Sequence, residues 1–164
     1  MTTSTVPPWS LAVAARDPAC TVTALDLPAV LPATRRAVAD AGRERQFRFL
    51  AGDRFDAEVG AATYDLAIAG NLCHLFGADA DRRLLGRLHG ALRPGGYLAI
   101  MDVVPDERPP PRRVALYELG LLRRTASGGA HPLAAHRRWL AGAGFESPER
   151  HRLADGAEAV LLVA

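Results

Sequence analysis

The chain has 164 residues, 49% of them hydrophobic, and a formal net charge of +2. That length suits one domain around one core, and apolar residues spread along its whole length exclude a disordered chain. All twenty basic residues are arginine, scattered among eighteen acids; no basic stripe marks a nucleic-acid binder, and no apolar run approaches the ~20 residues of a membrane span.

In chain order, strand and helix patterns alternate, which predicts an α/β fold with a mainly parallel sheet. Pro7 and Pro8 lead into an apolar helix over residues 9–16. Residues 21–25 alternate β-branched and apolar side chains and end at Asp26, a strand. A helix over 29–41 stops at Gly42, and a short strand over 46–51 ends in Gly52-Asp53. The strand over 64–69 ends in Gly70-Asn71. A helix over 79–92 follows, with Asp79 or Asp81 placed to cap its start and Leu84, Leu85, Leu88 and Leu92 forming its buried stripe. Residues 91–102 read ALRPGGYLAIMD. Pro94 stops the helix, Gly95 and Gly96 permit a forced tight turn, and a buried strand over 97–101 runs up to Asp102. Residues 104–111 are proline-rich and read as an exposed connection. Helices are predicted over 114–124 and over 133–141, the latter ending at Gly142 or Gly144, and two last strands, 149–153 and 159–163, are joined by the hairpin signal Asp155-Gly156. No linker long enough to separate two domains is present.

The first ten residues, MTTSTVPPWS, lack a basic start and an apolar stretch, so no signal peptide is expected and the cytoplasm is the default location. Cys20 and Cys73 make no CxxC pair, and neither a zinc site nor a disulfide is suggested.

The segments VTALDLPAVLP, FLAGDRF, YDLAIAGNLCHLF, LRPGGYLAIMDVVPD and RRWLAGAGF, in this order and spacing, resemble class I S-adenosylmethionine (SAM)-dependent methyltransferases. The closer resemblance is to small-molecule O-methyltransferases of the plant phenolic type and to bacterial relatives that tailor antibiotics and polyketides in secondary metabolism. It implies a Rossmann-like sheet with a C-terminal antiparallel hairpin, N-terminally truncated, in one methyltransferase-like domain over residues 1–164. It also implies SAM as cofactor and a small phenolic or polyketide-like molecule as methyl acceptor, with no metal needed; a homodimer is left open, and charge and hydropathy lead to no nucleic-acid or membrane partner being expected.

The resemblance assigns roles to named residues. Asp26 lies where the family has the acid that accepts both ribose hydroxyls, a task suited to an acceptor-only carboxylate; a strand-end residue capping the helix near Pro28 is the other reading. Asp53 matches the acid facing the adenine amino group, or is a turn residue. The apolar residue that covers the adenine is displaced by one, from Arg54 to Phe55. Gly70 and Asn71 fall where backbone groups line the methyl donor, and also suit a left-handed turn. His74 occupies the position of the general base, and an unperturbed pKa of ~6.5 fits a group that accepts a proton near neutrality; a structural histidine is the other reading, since many methyltransferases without a catalytic base carry one here. Asp102 matches the first of two acids that steer that histidine. The second is expected before the 133–141 helix, where the chain reads Gly128-Gly129-Ala130-His131-Pro132 with no acid; His131 reads as an exposed loop histidine. Tyr117, Leu121 and Leu122 would roof a substrate pocket, or belong to an apolar core stripe.

One expected feature is missing. The family places a strand and a GxGxG loop before the first helix; here Thr5-Val6-Pro7-Pro8 stands in that place and no glycine precedes Gly42. In strand order 3-2-1-4-5 the missing strand is central. Each buried backbone group left unpaired costs ~1–3 kcal/mol. Residues 2–6 as a substitute strand, direct pairing of the 21–25 and 64–69 strands, or a strand from a second chain would repair the gap. A remnant that no longer binds SAM and acts as a partner subunit or inactive fragment is the alternative function; a nicotinamide-dependent oxidoreductase is the third.

Overall fold

Helical and alternating apolar spacings build two units, one up to Glu58 and one from Val59 onward, in a computed structural model that describes residues 8–105, 112–153 and 159–164. The first unit contains α1 (Pro8–Arg16), β1 (Val22–Asp26), α2 (Leu31–Asp40), a 3-10 turn over Glu44–Gln46, and β2 (Phe47–Ala51). β1 and β2 run parallel, with Val22 opposite Phe47 and Asp26 opposite Ala51. Parallel neighbours need a crossover, and α2 supplies it. Ala14, Val38 and Phe47 form the buried centre, with Leu11, Val22 and Phe49 packed on it. The Gln46 amide nitrogen reaches the carbonyl oxygens of Ala14 at 3.1 Å and Asp17 at 3.0 Å, so the end of α1 does not leave those acceptors unmet.

The second unit contains β3 (Tyr64–Gly70), a 3-10 turn over Cys73–Leu75, α3 (Ala78–Ala91), β4 (Leu92–Val103), α4 (Arg112–Arg124), α5 (Leu133–Ala143), β5 (Glu149–Arg152) and β6 (Ala159–Val163). Its sheet has the order β3-β4-β6-β5. β3 and β4 are parallel, whereas β6 runs antiparallel to both β4 and β5. The predicted C-terminal antiparallel pair is therefore present; its turn at Asp155-Gly156 lies outside the described residues. Leu85 of α3, Leu98 and Ile100 of β4, Leu140 of α5 and Leu162 of β6 are each at most 1% exposed and share one core.

Two expectations change. The LRPGG segment is not a separate turn between helix and strand: β4 already begins at Leu92, and its register against β3 jumps from Tyr64↔Leu92 to Leu66↔Tyr97. Gly95 takes φ +79°, and a Cβ on Gly96 would stand 3.0 Å from the Arg93 oxygen and 3.2 Å from those of Tyr64 and Asp65, so a side chain there would have to push these backbone oxygens aside by a few tenths of an ångström. The cap of α3 is neither Asp79 nor Asp81 but Gly77, with no side-chain cap bond. β1 pairs with β2 and β3 with β4 among the described residues. The substitute strand at 2–6 lies outside them, as does most of the proline-rich connection.

Candidate active site

β3 ends at Gly70, and the chain then turns at Asn71, which holds φ +52° and donates its N–H to the Met101 oxygen at 2.7 Å. The following 3-10 turn carries His74 onto Asp102. The acid sits within β4 rather than after it, opposite Val160. Its Oδ1 lies 2.6 Å from His74 Nδ1 and accepts the Val103 N–H at 2.8 Å, while Oδ2 accepts the His74 backbone N–H at 3.1 Å. His74 is 7% exposed and Asp102 1%. A carboxylate only accepts, so Nδ1 carries the proton and Nε2 is left as the acceptor nitrogen of the ring. Nε2 takes no hydrogen bond from the described residues.

The surroundings keep this pair in a weakly polar shell. The Tyr117 ring of α4 meets the His74 ring edge-on, centroids 5.5 Å apart. Its hydroxyl is pushed up to about 12 by burial and then by the Asp102 charge, against a smaller opposing pull from Arg124. Burial, then the charges of Asp81 and Asp102, push the Cys73 thiol up as well. Both groups stay protonated at neutral pH. Leu121 is buried, whereas Leu122 is 71% exposed and lies off the buried stripe of α4.

Asp81 is the buried acid near this pair that sequence reasoning placed instead at a helix cap. It is 0% exposed, and neither carboxyl oxygen has a hydrogen-bond partner. Burial, and next the Asp102 charge, raise its pKa to about 8, so it holds a proton at neutrality. The signal lay in its spacing: Asp81, Leu84, Leu85 and Leu88 stand at i, i+3, i+4 and i+7, which puts the acid on the apolar stripe rather than at a solvated helix start.

His131 is not the exposed loop residue expected. Its side chain keeps 17% of its area exposed and its Nε2 stands 3.4 Å from Asp81 Oδ2. The same nitrogen donates to the Phe76 carbonyl at 2.8 Å, and its ring meets Trp139 edge-on at 4.9 Å. Behind it, His136 is 1% exposed and its pKa is lowered by burial, against opposing effects of the Pro132 carbonyl and Asp102.

The first unit holds the other expected residues on a single edge. Asp26 closes β1 and Asp53 follows β2, and these strands are parallel neighbours, so both acids emerge at the carboxyl ends. Each spends one oxygen locally: Asp26 Oδ1 accepts the Leu27 N–H, and Asp53 Oδ1 accepts the Phe55 N–H, both at 2.8 Å. The second oxygen of each carries no bond among the described residues. Phe55 is half-buried beside that turn. Among the described residues no group of three or more His, Cys, Asp or Glu side chains is arranged to hold a metal, and no helix is long and apolar enough to cross a membrane.

Residues 10–146 match the family described as the O-methyltransferase domain. The chain is 32% identical over 124 residues to the tetracenomycin polyketide synthesis 8-O-methyl transferase TcmO of Streptomyces glaucescens, covering 75% of this chain and 36% of that one. Its fold is similar to that of an O-methyltransferase family 2 protein from Planctomyces limnophilus, solved in complex with apigenin, with TM-score 0.87, 26% identity, and coverage of 94% of this chain and 45% of that one. It is also similar to human N-acetylserotonin methyltransferase, solved in complex with SAM, with TM-score 0.78, 26% identity, and coverage of 92% and 42%. The chain spans less than half the length of each of these proteins.

Proposed function

Because the chain belongs to the O-methyltransferase domain family, we propose that it carries the base and the nucleoside-binding acids of a SAM-dependent O-methyltransferase acting on a small phenolic or polyketide-like hydroxyl. The observation that carries this reading is the buried His74–Asp102 pair, with Nδ1 held at 2.6 Å and Nε2 left open. The acceptor class is supported by the polyketide relative.

The cofactor's fit rests on the first unit. Asp26 and Asp53 share one strand edge, and each keeps an oxygen able to accept a donor, as ribose hydroxyls and an adenine amino group require. Asp26 is assigned to the ribose, Asp53 to the adenine amino group and Phe55 to the adenine face; Asn71, in its left-handed turn, is assigned to the methyl-donor side. When bound, SAM supplies an electrophilic methyl group on a positively charged sulfur. The chain's own contribution is proton handling. His74 Nε2 accepts the substrate hydroxyl proton as that oxygen becomes nucleophilic, and Asp102 fixes the tautomer and stabilises the imidazolium that forms. Tyr117, protonated and edge-on to the ring, limits the orientations His74 can take.

The test is calorimetry of the protein with SAM, alongside transfer of labelled methyl to a panel of phenols and hydroxylated polyketides. Saturable SAM binding that Asp26→Ala weakens, together with methyl transfer to oxygen, is the expected result. No heat of binding at high SAM concentration would leave the remnant reading in its place.

A further inference from the structure

The side chain of His74 is held by Asp102, but its backbone is held from another direction. Residues 125–131, which join α4 to α5, close on the 3-10 turn that carries His74. The Gly129 N–H donates to the His74 carbonyl at 3.0 Å. Two residues further along the turn, the Phe76 carbonyl accepts from His131 Nε2 at 2.8 Å. One residue beyond that, the Gly77 N–H donates to Ser127 Oγ at 3.1 Å. Three successive points of the segment bearing the base are thus tied to one loop.

The loop is itself fixed at its start. The Thr125 hydroxyl donates to the Leu121 carbonyl at the end of α4 and accepts the Gly128 N–H, both at 2.9 Å. This arrangement admits only glycine at position 128. A Cβ there would overlap the His74 carbonyl oxygen, and would lie 2.6 Å from Thr125 Oγ1 and 3.1 Å from the Leu75 carbonyl carbon. The restriction is one of space between two backbones. Two of the three contacts of the added atom fall on the carbonyl of the base itself and on the residue after it, so relief displaces either the loop or the His74 backbone and breaks their fit.

We propose that residues 125–131 are a positioning clamp for His74, with Gly128 as the residue that allows it to seat and His131 as the hook that holds its far side. The clamp takes the place of the second steering acid, which the chain lacks before α5. It acts on the backbone of the base, not on its ring. This inference rests on the reading of His74 as the proton acceptor.

The test uses Gly128→Ala, His131→Ala and His131→Gln, with Gly120→Ala as the control. Gly120 lies in α4, and a Cβ there meets nothing closer than an Arg124 nitrogen at 3.5 Å. Two readouts are taken: kcat and KM for methyl transfer across pH, and the downfield proton NMR signal of His74 Nδ1–H, which does not depend on turnover. A displacement of about 1 Å can lower a rate by about 10²-fold. Gly128→Ala is therefore expected to lower kcat by about ten- to one-hundredfold, to leave KM for SAM little changed, and to shift or broaden the His74 signal. His131→Ala is expected to move both readouts in the same direction by less, and His131→Gln, which restores an N–H donor near the Phe76 carbonyl, to recover much of the loss. Gly120→Ala should move neither. Variants that remain folded, lose thermal stability, and yet keep the wild-type signal and pH profile would overturn the clamp. If Gly128→Ala proves unfolded, the His131 pair decides on the same two readouts. A changed His74 signal with undiminished turnover would instead support the clamp and reject His74 as the base, so the two failures are distinct.

Discussion

The two units treat their acids in opposite ways. In the first, Asp26 and Asp53 stand half-buried at strand ends, each bonding one local N–H and leaving one oxygen open. In the second, Asp102 is sealed and takes three N–H donors, two of them from His74. A carboxylate that must receive a ligand has to keep capacity in reserve. One that must hold a base in a single tautomer has to use its capacity within the protein, away from water that would compete for it. On the proposed reading the contrast separates binding from chemistry, and variants on the two sides should separate in the same way.

The largest effect is expected from Asp102→Asn. Loss of the charge that orients and stabilises His74 should lower kcat by about 10²-fold or more, within the roughly 10²–10⁴-fold range of base catalysis, with SAM affinity unchanged. Steady-state kinetics and calorimetry on one preparation check both halves. An equal loss of affinity would erase the contrast.

Asp81 tests how far burial governs the second unit. Its carboxyl titrates at the ordinary aspartate value of about 3.8 when unfolded and at about 8 when folded. Between those values the native state binds the extra proton, so stability should fall as pH rises, by up to about 1.36 kcal/mol per pH unit. Asp81→Asn, which needs no proton, should flatten that dependence and unfold at a higher temperature than wild type near pH 8. Thermal melts from pH 4 to pH 8 provide the check; parallel curves for the two proteins would contradict the assignment.

Asp26→Ala should act in the reverse sense to Asp102→Asn. A hydrogen bond to a charged group contributes about 1.5–3 kcal/mol, so SAM affinity should fall roughly ten- to one-hundredfold while kcat at saturation holds. Phe55→Ala is expected to be the mildest, a few-fold loss of SAM affinity from one aromatic face. A lower kcat at saturation in either variant would blur the division between the units.

Much of this was legible in the sequence, for identifiable reasons. The strands ending at Asp26 and Gly70 are short apolar runs that close on turn residues, and the leucines of α3 repeat at helical spacing, so local pattern sufficed. The His74–Asp102 pair spans 28 positions along the chain, and only the resemblance brought those residues together. Pro94-Gly95-Gly96 announced a change of direction but not its kind, because whether such a break is a turn or an excursion within a strand depends on the neighbouring strand. Asp81 was misread because an acid in a first helical turn satisfies the capping rule locally, while its burial is set by the loop carrying His131. The same loop shows why position 128 escaped notice: a glycine pair reads as flexibility until the carbonyl pressed against it is known.

The central claim is that His74 Nε2, held open by Asp102, accepts the substrate proton. It is tested most directly by single-turnover methyl transfer from bound SAM by wild type and His74→Ala at matched cofactor occupancy. The rate is predicted to fall by about 10²–10⁴-fold with SAM still bound; an unchanged rate would contradict the account.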